Sequence, residues 1–234
     1  VKYLENRLTT RPAHIGISQS PSLETILMLQ PDLILGRLWG GTHYPALSKI
    51  APTLLPLEEE APDYWRTRLQ ILGQALQRQE KAATVLAEHD RQISQTQANL
   101  ASYQGKSVLL LSMSGLKHIN IFTDEAFAGH LLEAVGLSLL VPSGSALENS
   151  GLMISVEILP QLNPDFIIVM ASGDSQVEQI QTLWREHPIL RSHPTYQSNQ
   201  VYFVDYQLWS RINGPIAAEL VLDEIQGLLL PSHD

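Results

Sequence analysis

Short apolar runs alternate with amphipathic stretches along most of this 234-residue chain. Four runs place apolar residues next to one another without polar alternation, which predicts strands buried on both faces. These runs lie at 32–35, 107–111, 165–168 and 201–204. Apolar residues recur with helical spacing at 125–135, 177–184 and 215–229. Because strands and helices alternate, the pattern predicts an α/β fold with mostly parallel sheets.

One stretch of sequence occurs twice, as residues 22–35 and again as residues 155–168. Ser, Glu, Leu, Pro, Asp and Ile recur at the same places in both copies. In each copy a short helix should precede the strand, capped at Ser20 and Pro21 in the first and at Ser155 in the second. A repeat spaced this widely is too long for a solenoid unit, so it indicates two similar lobes with a cleft between them.

The middle of the chain differs, since residues 74–104 contain no Gly or Pro and are rich in Gln, Ala and Glu. The apolar positions that repeat there every seven residues are Leu86, Ile93 and Leu100. We predict one long helix over 79–103, preceded by a shorter helix over 64–76 that ends near Gly73. A coiled-coil or partner helix is the alternative, but a stiff strut between two repeated halves is the simpler interpretation.

The composition excludes several classes of protein. A net charge of −9 argues against nucleic-acid binding, because phosphates require a basic surface. The chain has no cysteine, which removes disulfides, cysteine zinc sites and thiol catalysis. It has neither a run of roughly 20 apolar residues nor a signal peptide, so a targeting segment is expected to lie outside the given residues. Motifs of serine hydrolases, zinc proteases and phosphate-binding loops are absent, so enzymatic chemistry is not indicated.

Several short motifs follow one another along nearly the whole chain. They are residues 21–24 (PSLE), 30–34 (QPDLI), 44–53 (YPALSKIAPT), 123–125 (TDE) with Gly129 and Leu132, 204–205 (VD), Trp209 and 217–219 (AAE). In this order and spacing they resemble the periplasmic substrate-binding proteins of iron–siderophore ABC importers, of the ferric-citrate and ferrichrome type.

The resemblance implies two α/β lobes with mostly parallel sheets, joined by one long interlobe helix, as in class III periplasmic binding proteins. We expect an N-terminal lobe over 1–78, a linking helix over 79–103 and a C-terminal lobe over 104–234. The family begins with a further strand–helix–strand, so the first lobe is expected to be N-terminally incomplete. Ser18 stands where ferrichrome- and citrate-type relatives carry an arginine that reaches the ligand.

The resemblance also implies a function: a binding protein, not an enzyme, that captures a ferric siderophore of citrate or hydroxamate type and delivers it to an ABC permease dimer. It implies a periplasmic monomer, with or without a lipid anchor. Such a protein has no intrinsic cofactor, and ferric iron enters only as the siderophore chelate. Three alternatives stay open: a cobalamin or haem carrier of the same fold, an intracellular two-lobed α/β enzyme, and a degenerate lobe kept as an interaction module.

Glu24 and Glu157 occupy the same place in the two copies of the repeat, in the first turn of each predicted helix. A carboxylate there complements the helix dipole by about 0.3–1 kcal/mol, which is the structural explanation for either residue alone. In the resembling family, one such glutamate on each lobe docks into arginine pockets of the permease. The symmetric placement favours that role here.

The ligand is expected at the carboxyl ends of the strands, where α/β folds collect their ligands. After the first strand, Arg37 is suited to fork onto chelate oxygens, while Trp39 and Tyr44 are suited to form aromatic walls. No direct metal site is predicted. His43 and Tyr44 are the candidates if a side chain reaches the iron.

The last strand of the second lobe is followed by Trp209 and Arg211, which match a tryptophan and a basic residue of the ferric-citrate-type relatives. Lys117, ahead of an apolar run at 119–122, is a third candidate cation. An arginine from each lobe would hold an anion even in an acidic protein, because the local potential decides binding. The structural alternatives are a surface arginine, a core tryptophan and a solvated lysine.

Overall fold

In the computed structural model, the described part of the protein comprises residue 3 and residues 8–17, 20–36, 43–55, 63–142, 151–173 and 176–230. Its strands are β1 (Gly16–Ile17), β2 (Ser20–Pro21), β3 (Ile34–Leu35), β4 (Thr53–Leu54), β5 (Ser107–Gly115), β6 (His118–Phe122), β7 (Ser138–Leu139), β8 (Gly151–Ile154), β9 (Phe166–Ala171) and β10 (Val201–Asp205). Its α-helices are α1 (Leu23–Leu29), α2 (Tyr44–Leu47), α3 (Trp65–Ala75), α4 (Gln79–Asn99), α5 (Phe127–Ala134), α6 (Val177–Glu186), α7 (Pro188–Arg191), α8 (Pro194–Gln197) and α9 (Pro215–Leu229). Tighter or wider turns are 3₁₀ at Ala101–Tyr103 and Val156–Gln161, and π-helical at Gln207–Arg211.

A six-stranded sheet lies in the second half of the chain, in the order β10-β9-β5-β6-β8, with β7 beside the beginning of β5. Strands β10, β9, β5 and β7 run parallel, whereas β6 runs antiparallel to both β5 and β8. The prediction of an α/β fold with a mostly parallel sheet is confirmed. Strand β6 reverses because the turn at 116–117 is too short for the crossover that a parallel neighbour requires.

Helices cover both faces of this sheet and enclose its central strands. All six residues of β9 are buried, as its unbroken apolar run predicts. Successive residues of β5 point to opposite faces: Leu110 packs into the cluster formed with α5 and α9. Leu109 and Leu111 pack on the other face with α6, where Trp184 is fully buried. The second half is therefore a three-layer α/β/α arrangement.

Helix α4 and the 3₁₀ turn that follows it occupy the region where the sequence predicts one long helix. At 1.5 Å per residue, α4 is about 31 Å long. Leu86 and Leu100 of the seven-residue stripe are buried, and Ile93 packs against the same core cluster. The helix packs between α3 and α9. The division of the chain into lobes at 78/79 and 103/104 stays a prediction.

Helix α3 covers Trp65–Ala75, so the prediction of a helix over 64–76 that ends near Gly73 is confirmed. A Cβ atom on Gly73 would lie 2.8 Å from the Cβ of Ala82 on α4. The glycine therefore also allows α3 and α4 to approach each other closely.

The two copies of the repeat adopt different local structures. Ser22 caps α1, since its Oγ accepts an N–H bond from the first turn at 3.3 Å. The predicted cap at Ser20 and Pro21 is wrong, because both residues form β2. Ser155 precedes a 3₁₀ turn instead of an α-helix; Pro160 lies inside that turn and has no N–H to donate to an α-helical bond.

Strand β3 of the first copy is far more exposed than its counterpart β9. Leu35 is 51% exposed, so the prediction that 32–35 is buried on both faces is wrong. Among the described residues, β3 pairs only with β4, in a parallel two-stranded sheet. It has one neighbouring strand there, where β9 has two.

Candidate ligand-binding site

Three parallel strands end at one edge of the large sheet, β5 at Gly115, β9 at Ala171 and β10 at Asp205. Because β9 lies between the other two, the ends of β5 and β10 are about 10 Å apart at the usual strand spacing. The register of β5 shifts by a bulge at 113–115, and Gly173 after β9 has a left-handed φ of 70°. We call this the strand-end edge; it is the place where α/β folds bind ligands.

Arg211 lies exposed at the end of the π-helical turn that follows β10. The carbon of its guanidinium lies 5.5 Å from the centre of the Tyr206 ring. The turn closes when Ile212 N donates to Gln207 O at 3.0 Å, which is an i-to-i+5 bond. This wider turn brings residues 206 and 211 together. Sequence reasoning missed Tyr206 because no pattern in the chain marks a π turn.

Trp209 has no exposed surface and belongs to the core cluster beneath α9. Its indole N–H donates to Glu224 Oε2 on α9 at 2.6 Å. The prediction that Trp209 covers a face of the ligand is contradicted by this burial. The geometry corresponds to the alternative, a core tryptophan packed under the terminal helix.

Lys117 is exposed in the turn between β5 and β6, at the same strand-end edge as Arg211. Neither cation forms a salt bridge with a carboxylate of the described residues. Asp205, the acid nearest to Arg211 in sequence, accepts a hydrogen bond from Gln207 N at 2.7 Å and so caps the π turn. The edge therefore presents two cationic side chains to solvent in a protein whose net charge is negative.

The candidates after the first strand divide into two groups. Arg37 and Trp39 lie outside the described residues. His43 precedes α2 and lines an apolar cavity of about 240 Å³, together with residues such as Ile26 and Leu47. Tyr44, the first residue of α2, is 43% exposed. The structure places His43 and Tyr44 side by side on the chain but gives His43 an apolar environment.

Glu24 and Glu157 are both exposed in the first turn of their elements. Within the described residues, neither carboxylate forms a salt bridge or a side-chain hydrogen bond. Exposed apolar side chains occur near them in the sequence: Met28, one turn after Glu24, is 83% exposed, and Met153, on the strand before Glu157, is 65% exposed. Each glutamate thus lies four residues from an exposed methionine along the chain.

A second cavity, of about 310 Å³, lies among α3, α4 and α5. His89 is 7% exposed there, and its ring meets Trp65 edge to face at 5.0 Å. Arg66 forms a bidentate pair with Asp90 at 2.8 and 3.1 Å. Burial, and after it the Arg66 cation, lowers the pKa of His89 below its usual value.

Two general properties limit the chemistry of the described residues. They contain no group of three or more His, Cys, Asp or Glu side chains arranged to hold a metal ion. Their helices also include none with the length and hydropathy of a membrane span.

The fold defines an α/β protein with a cationic edge at the ends of parallel strands, which is where proteins of this class commonly bind ligands. The chain belongs to the periplasmic binding protein family, which matches residues 2–208. This is a family of binding proteins, in agreement with the prediction that the chain is not an enzyme. The family indicates a location outside the cytoplasm, so an intracellular enzyme is not supported.

Individual relatives agree with this membership. The chain is 26% identical over 208 residues to the Fe(3+)-citrate-binding protein YfmC of Bacillus subtilis, covering 88% of this chain and 63% of the relative. It is 29% identical over 214 residues to the Fe(3+) dicitrate-binding periplasmic protein FecB of Escherichia coli, covering 88% of this chain and 67% of the relative. The chain therefore spans about two-thirds of the length of these relatives.

The crystal structure of SirA from Staphylococcus aureus shows the same fold, with a TM-score of 0.76 at 22% identity. The likeness covers 98% of this chain and 86% of SirA. The predicted class of fold and the family resemblance are thus both confirmed.

Proposed function

We propose that this chain is the substrate-binding component of an ABC importer, which captures a ferric siderophore of citrate or hydroxamate type and delivers it to a permease dimer. Family membership and relatives named for binding ferric citrate support this proposal. The protein acts as a monomer in the periplasm, free or lipid-anchored. The siderophore supplies the ligands of the iron, so neither His43 nor Tyr44 needs to coordinate it.

The observation that carries the choice of ligand is the position of Arg211 and Lys117 at the strand-end edge. Ferric chelates of this type present carboxylate or hydroxamate oxygens, which a guanidinium contacts through paired N–H donors. The exposed ammonium group of Lys117 adds a second positive charge. Arg37, two residues after the end of β3 in the sequence, is proposed as the cation contributed by the first half of the chain.

Calorimetric titration with ferric citrate, ferric desferrioxamine and ferric enterobactin tests this proposal. We expect saturable binding of at least one chelate, weakened by roughly ten- to a hundredfold in Arg211→Gln, the range for a lost charge-assisted contact. Arg185→Gln is the matched control, because Arg185 is exposed near the end of α6 and, among the described residues, its guanidinium donates a hydrogen bond to Thr182 Oγ1 at 3.2 Å. Binding of cobalamin or haem alone would instead favour the other carriers of this fold.

The permease contact is proposed to involve Glu24 and Glu157. Both carboxylates are exposed and remain available to external cations, and Met28 and Met153, each four residues away in the sequence, expose apolar surface. An oriented, reversible contact is well served by charge at the centre and apolar surface at its side.

Uptake of radiolabelled iron by cells that carry the double variant Glu24→Ala, Glu157→Ala tests the docking role. Uptake should be lost while chelate affinity in the purified protein is unchanged. Glu80→Ala is the control, since Glu80 is also an exposed acid in the first turn of a helix. Weaker chelate binding in the double variant, or equal loss of uptake in the control, would contradict the assignment.

A further inference from the structure

The connection between β10 and α9, residues 206–214, carries Arg211. Residues that come much earlier in the chain contact this connection. Inside the fold, Trp209 anchors it through the buried indole and Glu224. From the first part of the chain, Tyr64 hydrogen-bonds to it and Tyr3 lines a cavity with it. We call residues 206–214 the arginine segment.

Tyr64 immediately precedes α3 and makes the clearest of these contacts. Its hydroxyl oxygen accepts a hydrogen bond from Asn213 Nδ2 at 2.8 Å and one from Arg68 Nη1 at 3.3 Å. The Arg68 guanidinium also lies 5.3 Å from the centre of the Tyr64 ring. The tyrosine is thus fixed on α3 by Arg68 while its hydroxyl holds the arginine segment.

Asn213 stands two residues after Arg211, a distance of at most about 7 Å along an extended chain. Ile212 between them is extended, with φ −105° and ψ 131°. A bond that fixes Asn213 therefore restricts the end of the π turn from which Arg211 projects. The arginine itself rests on Tyr206, inside the same segment.

Tyr3 gives a second hold on the segment. It lines a small cavity of about 160 Å³ with Leu208, Ile212 and Gly214. Burial, and after it the neighbouring Asp205 at the end of β10, raises the pKa of its hydroxyl. The two tyrosines, both from the first 78 residues, thus lie against the arginine segment.

We infer that Tyr64 is a positioning residue, which holds Arg211 through Asn213 in the orientation that grips an anionic ferric chelate. This inference rests on the proposed function, in which Arg211 contacts the chelate. Because Tyr64 immediately precedes α3, this contact also connects the first part of the chain to Arg211 in the second part.

The test is a double-mutant cycle on the affinity for whichever of ferric citrate, ferric desferrioxamine and ferric enterobactin binds the wild-type protein most tightly. Tyr64→Phe removes the hydroxyl and should weaken binding roughly three- to tenfold, the range for one lost hydrogen bond. In an Arg211→Gln background the same change should have no further effect, because Tyr64 acts through that arginine.

Tyr103→Phe is the matched control. The Tyr103 hydroxyl donates to Leu229 O at 2.5 Å and ties the end of α4 to the end of α9, away from the arginine segment. Tyr64→Phe loses two hydroxyl bonds and Tyr103→Phe loses one, so both variants should lose some stability, but Tyr103→Phe should keep wild-type affinity. Amide hydrogen exchange without ligand should be faster across 206–214 in Tyr64→Phe and unchanged there in Tyr103→Phe.

The outcomes separate the two claims. If no chelate binds, or if Arg211→Gln binds like wild type, the proposed site is wrong, and the exchange measurement still decides whether Tyr64 holds the segment. If Arg211→Gln weakens binding but Tyr64→Phe does not, the positioning role is wrong by itself. A loss from Tyr64→Phe that persists in the Arg211→Gln background also overturns it.

Discussion

Asp165, the acid of the second repeat copy, joins the beginnings of two central strands, and replacing it with Asn should destabilise the protein. Its Oδ2 accepts hydrogen bonds from the backbone N of Ser107 at 2.8 Å and from Ser107 Oγ at 2.7 Å. Its Oδ1 accepts one from Lys106 Nζ at 2.8 Å. Ser107 Oγ in turn accepts the Asp165 N–H at 2.9 Å, so β5 and β9 are fastened where they start.

The size of the effect follows from the charge. The bonds from Lys106 and Ser107 hold the pKa of Asp165 at about 2, against an ordinary value of 3.8. Taken in full, that difference corresponds to about 2.5 kcal/mol. The side chain is 36% exposed, so solvent screening reduces the contribution to roughly 1 kcal/mol. Asp165→Asn should therefore lower the melting temperature by about 2–4 °C in a protein of this length.

The pH dependence provides the sharper measurement. Because the folded pKa is depressed, the stabilisation is complete above the ordinary pKa and is lost as the pH falls toward about 2. The stability difference between wild type and Asp165→Asn should thus be largest above about pH 5 and shrink at about pH 3. Urea unfolding can be followed by tryptophan fluorescence, to which buried Trp184 in this half of the chain contributes.

Asp32, the same residue of the first repeat copy, is the matched control. It is exposed and forms no side-chain hydrogen bond or salt bridge within the described residues. Asp32→Asn should leave the free energy of unfolding nearly unchanged. Equal effects of the two substitutions, or a difference that does not shrink in acid, would refute the reasoning.

Two further predictions concern stability. Gly129→Ala should lower the free energy of unfolding by about 2 kcal/mol or more, because the new Cβ overlaps the Thr123 carbonyl. Gly227→Ala on α9 meets open space and should raise it by roughly 0.5–1 kcal/mol. Thermal melts that rank the two variants otherwise would contradict this prediction. Burial and Arg66 lower the pKa of His89, so the stability that its neutral ring provides is complete above the ordinary value of 6.5 and is lost below it. His89→Phe should flatten the stability between about pH 7 and pH 5, and an unaltered slope would count against this explanation.

The sequence predicts best those elements whose apolar positions follow one simple pattern. Helix α9 begins and ends at the predicted residues, 215 and 229, because Pro215 starts it and an apolar stripe continues to its end. Strand β9 is buried throughout for the same kind of reason, an unbroken apolar run. In both elements, the apolar pattern of the local sequence matches the positions that are buried in the folded protein.

Prediction failed where a few atoms of tertiary contact decide the structure. The sequence predicts the end of α3 near Gly73 but not the packing role of this glycine, which depends on Ala82 of the neighbouring helix. Trp209 matches a ligand-site motif, but the carboxylate of Glu224 and the packing of α9 enclose it. The contact between Tyr206 and Arg211 depends on a π turn, which apolar periodicity does not reveal.

The repeat itself separates structural residues from candidates for external contact. Asp165 is fully used within the fold, so its presence needs no partner molecule. Glu157 is exposed in the first turn of a six-residue 3₁₀ segment that contains Pro160. Such a segment has too few aligned peptides to develop the dipole of a full helix, so a favourable charge–dipole interaction explains Glu157 less well than it explains Glu24 on α1. A partner that contacts both glutamates accounts for their common position, whereas helix electrostatics accounts for one of them.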